Sequence, residues 1–133
     1  MDTQKGSVPM IKIEKPQADV AIFKRKQQQT ENEPVIPSIQ GFIDLHKIPR
    51  DKGGIILFFN RDDELLFVGK ARKLRQRVKK HLEDNVSPLK DHRGDIHKIE
   101  VSIVEDPMER EIYETYLINK LHAKYNADKV FYK

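Results

Sequence analysis

The chain has no cysteine, which excludes disulfides, thiolate metal sites and cysteine nucleophiles. It has no long hydrophobic run either. The longest, Gly54-Ile-Ile-Leu-Phe-Phe59, is far too short to span a bilayer. The first twenty residues carry Asp2, Lys5, Lys12, Glu14 and Lys15 with no extended apolar stretch, so they do not read as a secretory signal. Nor is there a strong excess of one charge: 25 Lys and Arg stand against 21 Asp and Glu, a net of +4. With 133 residues and 38% hydrophobic content, one modest core is expected, and a large multidomain enzyme is not. A soluble intracellular (cytoplasmic) protein without a membrane partner is the expectation.

Proline and polar residues divide the chain. Residues 1–40 hold four of the seven prolines and the stretch Lys26-Gln-Gln-Gln-Thr-Glu-Asn-Glu33, and their apolar residues follow no sustained period. Such a segment buries too little surface to offset its ordering entropy, so it reads as a mobile arm. Its Val20-Ala-Ile-Phe23 patch is available to dock on the domain or on a partner protein. Residues 41–133 read as the domain.

Within that domain, Asp51-Lys-Gly-Gly54 is a turn and Ile55–Phe59 an apolar strand. Asn60-Arg-Asp-Asp63 reads as a hairpin loop, with Glu64–Val68 returning. Ala71, Leu74, Val78 and Leu82 line one face of a basic helix expected from Lys70 to Leu82. Ile99, Val101 and Ile103 alternate with Glu100 and Ser102 as in a half-buried strand. Asp106, Pro107 and Glu109 then suit the N-cap, the first position and the capping box of a helix over 107–121. The order strand, strand, helix, strand, helix predicts an α+β fold, a small antiparallel sheet covered by helices.

Three features of this layout bear on chemistry. Lys70, Arg72, Lys73, Arg75, Arg77, Lys79 and Lys80 crowd fifteen residues that hold no acid, which fits either a solvated face or a phosphate-binding one. On a continuous helix, Lys70, Arg77 and His81 fall in one stripe beside the apolar seam, where two turns of a surface helix or a cleft wall would place them. Glu114 sits amid Leu117, Ile118 and Leu121 on an apolar stripe. An unpaired buried carboxylate costs several kcal/mol, so Glu114 should meet either Arg77 in a structural ion pair or a hard divalent cation. Glu109 and Glu111 are accounted for by first-turn helix electrostatics.

These residues resemble the GIY-YIG endonuclease superfamily, in particular the N-terminal incision domain of the bacterial excinuclease of nucleotide excision repair. The signature stands here as Gly54-Ile55-Ile56 and Phe67-Val68-Gly69, then Lys70-Ala71-Arg72-Lys73-Leu74-Arg75-Gln76-Arg77-Val78. Tyr113-Glu114-Thr115-Tyr116-Leu117-Ile118 and Lys124-Tyr125-Asn126 resemble the metal-binding glutamate helix and its terminal asparagine. The resemblance implies a three-stranded antiparallel sheet flanked by helices that cleaves DNA, branched or damaged, with one Mg²⁺ or Mn²⁺ ion. It implies that Glu114 holds the metal, Arg77 offsets phosphoryl charge, Lys70 holds the phosphate, and His81 stands near the attacking water. Gly69 and Asn126 would support the site, while Arg72, Lys73, Arg75, Lys79 and Lys80 would bind DNA. Both signature tyrosines are replaced, by Ile56 and Phe67, and all four tyrosines of the chain come late. A catalytically degenerate domain that binds nucleic acid, or a module whose basic helix meets an acidic protein, is therefore kept as an alternative.

Overall fold

The computed structural model describes residues 14–25 and 38–126. Its sheet is built around the hydrophobic run. Strand β2 (Gly54–Phe59) is buried along its whole length. It pairs antiparallel with β3 (Leu65–Ala71) on one side and with β4 (Lys98–Ile103) on the other. Helix α1 (Leu74–Glu83) covers one face and α2 (Pro107–Leu121) the other. A strand covered on both faces gains from apolar residues at every position, which explains why Gly54–Phe59 does not alternate. Ile56 and Phe58 pack with Val78 and Leu82, whereas Ile55 and Leu57 pack with Leu117 and Ile118.

The chain is shaped locally as its residues dictate. Asn60 Oδ1 accepts from the N–H groups of Asp62 and Glu64, both at 2.9 Å, and closes the hairpin with Asp63 left-handed at φ 61°. Gly54 lies so close to β4 that a Cβ would fall 1.9 Å from the Ser102 carbonyl oxygen. Asp106 accepts from the Met108 N–H at 2.9 Å and Pro107 opens α2, as expected. That helix spans the expected residues 107–121.

Two expectations are corrected. The sheet has four strands, in the order β1-β4-β2-β3, because Val20–Phe23 forms β1 along the outer edge of β4. Strand β4 would otherwise expose an unpaired ladder, and the Ile22 side chain is fully buried there. This part of the expected arm therefore belongs to the fold; residues 1–13 and 26–37 lie outside the described residues. After β1, the Arg25 guanidinium grips the Asp44 carboxylate with two 3.0 Å hydrogen bonds. That hydrogen bonding holds the Asp44 carboxyl below its usual range.

The second correction concerns the basic helix, which begins at Leu74 and not at Lys70. Lys70 and Ala71 pair with Ile55 and Gly54 and extend β3. Ladder hydrogen bonds to a buried strand outweigh the few tenths of a kcal/mol by which these residues favour a helix.

Candidate active site

Strand β3 is the outermost strand on its side of the sheet, and its alternation serves both helices. Phe67 and Ala71 face the α1 side, whereas Val68 packs on the α2 side, and Lys70 reaches Glu111 and Glu114 of α2. Beside this strand lies a cleft of about 450 Å³. It is lined by Lys70, Arg77, His81 and Glu114, with Phe67, Gly69 and Asn126 at its walls. Lys70 thus joins Arg77 and His81 from a neighbouring strand, and not through the helical stripe expected of it.

Glu114 is 8% exposed, and Lys70 Nζ stands 3.9 Å from its Oε1. Lys70 is also ion-paired with Glu111. A cation beside the Glu114 carboxylate thus comes from β3.

His81 is buried between two aromatic rings, with centroids 5.4 Å from Phe58 and 5.0 Å from Phe67. Its Nδ1 lies 2.7 Å from Ser87 Oγ. Burial, reinforced by the positive charge of Arg77, lowers its pKa from 6.5 to about 4, so the ring is neutral at pH 7. Its Nε2 lies beside Gly69, where an added Cβ would approach it to 3.4 Å. Glycine leaves the space in front of that nitrogen open.

Asn126 supports the cleft through the backbone. Its Oδ1 accepts from the Val68 N–H at 2.7 Å and its Nδ2 donates to the Val68 carbonyl at 2.9 Å. The N–H groups of Lys124 and Tyr125 bond to Leu65 and Leu66. The segment after α2 thus covers the open edge of β3 and fixes the helix that carries Glu114 against the strand that carries Lys70.

The basic cluster lines two grooves that share Lys73. Arg72, Lys73, Arg77 and Lys80 line a second groove of about 260 Å³, which shares Ala71, Arg72 and Arg77 with the cleft. Lys79 lies on another side, with Arg50 and Lys73. Arg75, expected to bind DNA, lines that same side and is also held by backbone carbonyls. Its guanidinium donates to the carbonyls of Ile48 at 2.7 Å and His46 at 2.8 Å, tying α1 to the segment before β2.

Sequence reasoning missed Arg110 and Ser87. Arg110, one turn before Glu114, is buried in the cleft wall and donates to the carbonyls of Ala71 at 2.7 Å and Glu105 at 3.2 Å. Its spacing from Glu114, Leu117 and Ile118 places it on the same buried stripe, a signal that was available. Ser87 lies in a loop, and nothing in the sequence marks it as a neighbour of His81.

The donor set suits one class of cation. Among the described residues no group of three or more His, Cys, Asp or Glu side chains can hold a metal ion. A single buried carboxylate facing a polar cleft does not make a zinc site. It does suit Mg²⁺ or Mn²⁺, since Mg²⁺ binds through one or two carboxylates and keeps water and substrate phosphate oxygens as its other ligands.

Comparisons with known proteins agree with this fold. The family model described as the UvrC-like GIY-YIG domain matches residues 52–127. The uncharacterized protein YurQ of Bacillus subtilis is 66% identical over 124 residues, covering 93% of this chain and 100% of YurQ. The UvrABC system protein C of Mycoplasma mycoides is 36% identical over 79 residues, which cover 58% of this chain but 13% of that protein. Among solved structures, the GIY-YIG N-terminal endonuclease domain of UvrC from Thermotoga maritima, bound to its catalytic magnesium, superposes with a TM-score of 0.55. The match is 24% identical and covers 63% of this chain and 97% of that one, a likeness of fold. A tyrosine-to-phenylalanine point mutant of that domain, also bound to its catalytic divalent cation, matches with the same TM-score and identity, over 63% of this chain and 96% of the mutant.

Proposed function

The chain belongs to the UvrC-like GIY-YIG domain family, and on that premise we propose that its cleft is the active site of a small DNA endonuclease dependent on a divalent cation. The observation that carries this reading is the meeting of Lys70, Arg77, His81 and Glu114 in one cleft, from one strand and two helices.

Hydrolysis adds water to phosphorus and expels one ester oxygen, so charge accumulates on the phosphoryl oxygens. The Arg77 guanidinium offsets that charge, and Lys70 holds the phosphate beside Glu114. A Mg²⁺ or Mn²⁺ ion held by the Glu114 carboxylate would neutralise the scissile phosphate and acidify a water molecule. The neutral His81 ring presents Nε2 to the same space. The groove beside Arg72, Lys73 and Lys80 extends the positive surface from the cleft and gives the flanking phosphates of a DNA strand a path, with affinity supported by counterion release.

Nicking of supercoiled and branched DNA in Mg²⁺ or Mn²⁺ tests the proposal. Wild type should cut, and Glu114→Ala should lose at least about a hundredfold in rate, as expected when the cation's ligand is removed. Wild type and Glu114→Ala equally inert at high protein concentration would overturn it. A second reading, a domain that binds DNA without cutting it, is favoured by the phenylalanine at position 67, which brings no hydroxyl to the cleft wall. In that case Arg72→Ala weakens binding and Glu114→Ala does not.

A further inference from the structure

The role of His81 depends on which ring nitrogen carries its proton, and the loop after α1 contains the answer. Asp84 Oδ1 accepts from the N–H groups of Val86 at 3.1 Å and Ser87 at 2.9 Å. Arg93 fastens the loop from the other side, donating to the carbonyls of His81 and Asp84. Ser87, 5% exposed, is held so that its Oγ has two partners among the described residues: it accepts from the Leu89 N–H at 3.1 Å and lies 2.7 Å from His81 Nδ1.

We infer that Ser87 donates its hydroxyl hydrogen to His81 Nδ1 and thereby fixes the proton of the neutral ring on Nε2, making His81 a hydrogen-bond donor toward the cleft. A hydroxyl has one hydrogen to give, and Nδ1 is the one acceptor within reach of it among the described residues. Were Nδ1 protonated, the serine would accept twice and its own hydrogen would be buried without an acceptor. A lost hydrogen bond of that kind disfavours this tautomer by about tenfold or more. Ser87 is thus a positioning residue, and His81 offers an N–H to a phosphate oxygen instead of taking a proton from water. The phosphate as acceptor rests on the nuclease reading; the tautomer does not.

The experiment is a long-range proton–nitrogen spectrum of the full chain labelled with ¹⁵N-histidine, recorded at pH 7 without DNA. His81 should show a bare Nδ1 and a protonated Nε2, and Ser87→Ala should shift the ring toward a mixture of tautomers. A protonated Nδ1 in the wild type, or the same distribution in Ser87→Ala, would overturn the inference. If Ser87→Ala does not fold, the wild-type spectrum decides alone. In nicking assays His81→Gln, which keeps an N–H donor, should stay within about tenfold of wild type, whereas loss of a general base costs about 10²–10⁴-fold. A His81→Gln rate as low as that of His81→Ala would count against the donor role. A wild type that cuts nothing would end the nuclease reading and leave the tautomer to the spectrum.

Discussion

Acidification to pH 5 should destabilise this protein through one buried ring. His81 titrates near 6.5 when exposed and at about 4 in the fold, because burial and the charges of Arg77 and Arg93 outweigh the attraction of Asp84. The folded state therefore binds the proton less readily than the unfolded chain. Stability from this group is complete above pH 6.5 and is lost as pH falls from there toward 4. At about 1.4 kcal/mol per tenfold change, the full loss is about 3 kcal/mol, of which about 2 kcal/mol is gone at pH 5. For a domain of this size that corresponds to roughly 8 °C in Tm. The depressed carboxyls of Asp44 and Asp84 lose their contributions only below their ordinary value of 3.8, so the window above pH 4 is clear of them. Urea unfolding at pH 7, 6 and 5 reads the effect directly. His81→Gln, which cannot take up that proton, should remove the slope. Parallel losses in wild type and His81→Gln would refute the reasoning, as would a midpoint that does not move between pH 7 and 5.

Three further outcomes follow from named contacts. Asn126→Ala removes both hydrogen bonds to the Val68 backbone at a buried site and should cost about 2–4 kcal/mol in urea unfolding; a loss below about 0.5 kcal/mol would mean the edge is held by other bonds. Arg72→Ala and Lys80→Ala should each weaken DNA binding and lower the salt slope by about 0.9 without changing Tm, while Arg75→Ala should cost about 2 kcal/mol of stability and leave that slope intact. The reverse pattern in titrations at several salt concentrations would exchange their roles. Phe67→Tyr places a hydroxyl on the cleft wall and should raise the initial nicking rate; a rate at or below wild type would show that the hydroxyl is not what limits cleavage.

Helix α2 was legible because local chemistry specifies it: Asp106 caps it, Pro107 starts it, and its bounds need no tertiary information. The apolar run of β2 was equally plain. The start of α1 was not, since Lys70 and Ala71 favour a helix on their own and are held in β3 by pairing with Ile55 and Gly54, which is a non-local choice. The same limit hid β1. Four residues in a polar, proline-bearing segment carry too little pattern to announce a strand, and β4 supplies the ladder that makes them one. For the site, Glu114 stood out because a carboxylate on an apolar stripe needs a reason. Ser87 could not stand out, because an uncharged serine in a loop acquires meaning only from what it touches. For Arg75 the charge was visible in the sequence and the carbonyl partners were not.

The two positions that lack signature tyrosines are not equivalent in the fold. Ile56 lies opposite Gly69 in the ladder, with no exposed surface, and packs among Val78, Leu82 and Val101. A tyrosine there would need both the volume of a ring and a partner for its hydroxyl in a place filled with hydrocarbon, so packing opposes its return. Phe67 belongs to the same core, but its ring reaches the cleft and lies against His81. At position 67 a hydroxyl would sit on the cleft wall and not in packed hydrocarbon alone. Phe67 also shapes His81 directly, since its ring and that of Phe58 exclude water from the imidazole and so keep it neutral. Phe67 thus adds apolar surface beside the His81 ring and no hydroxyl, and the polar side chain at His81 Nδ1 is Ser87.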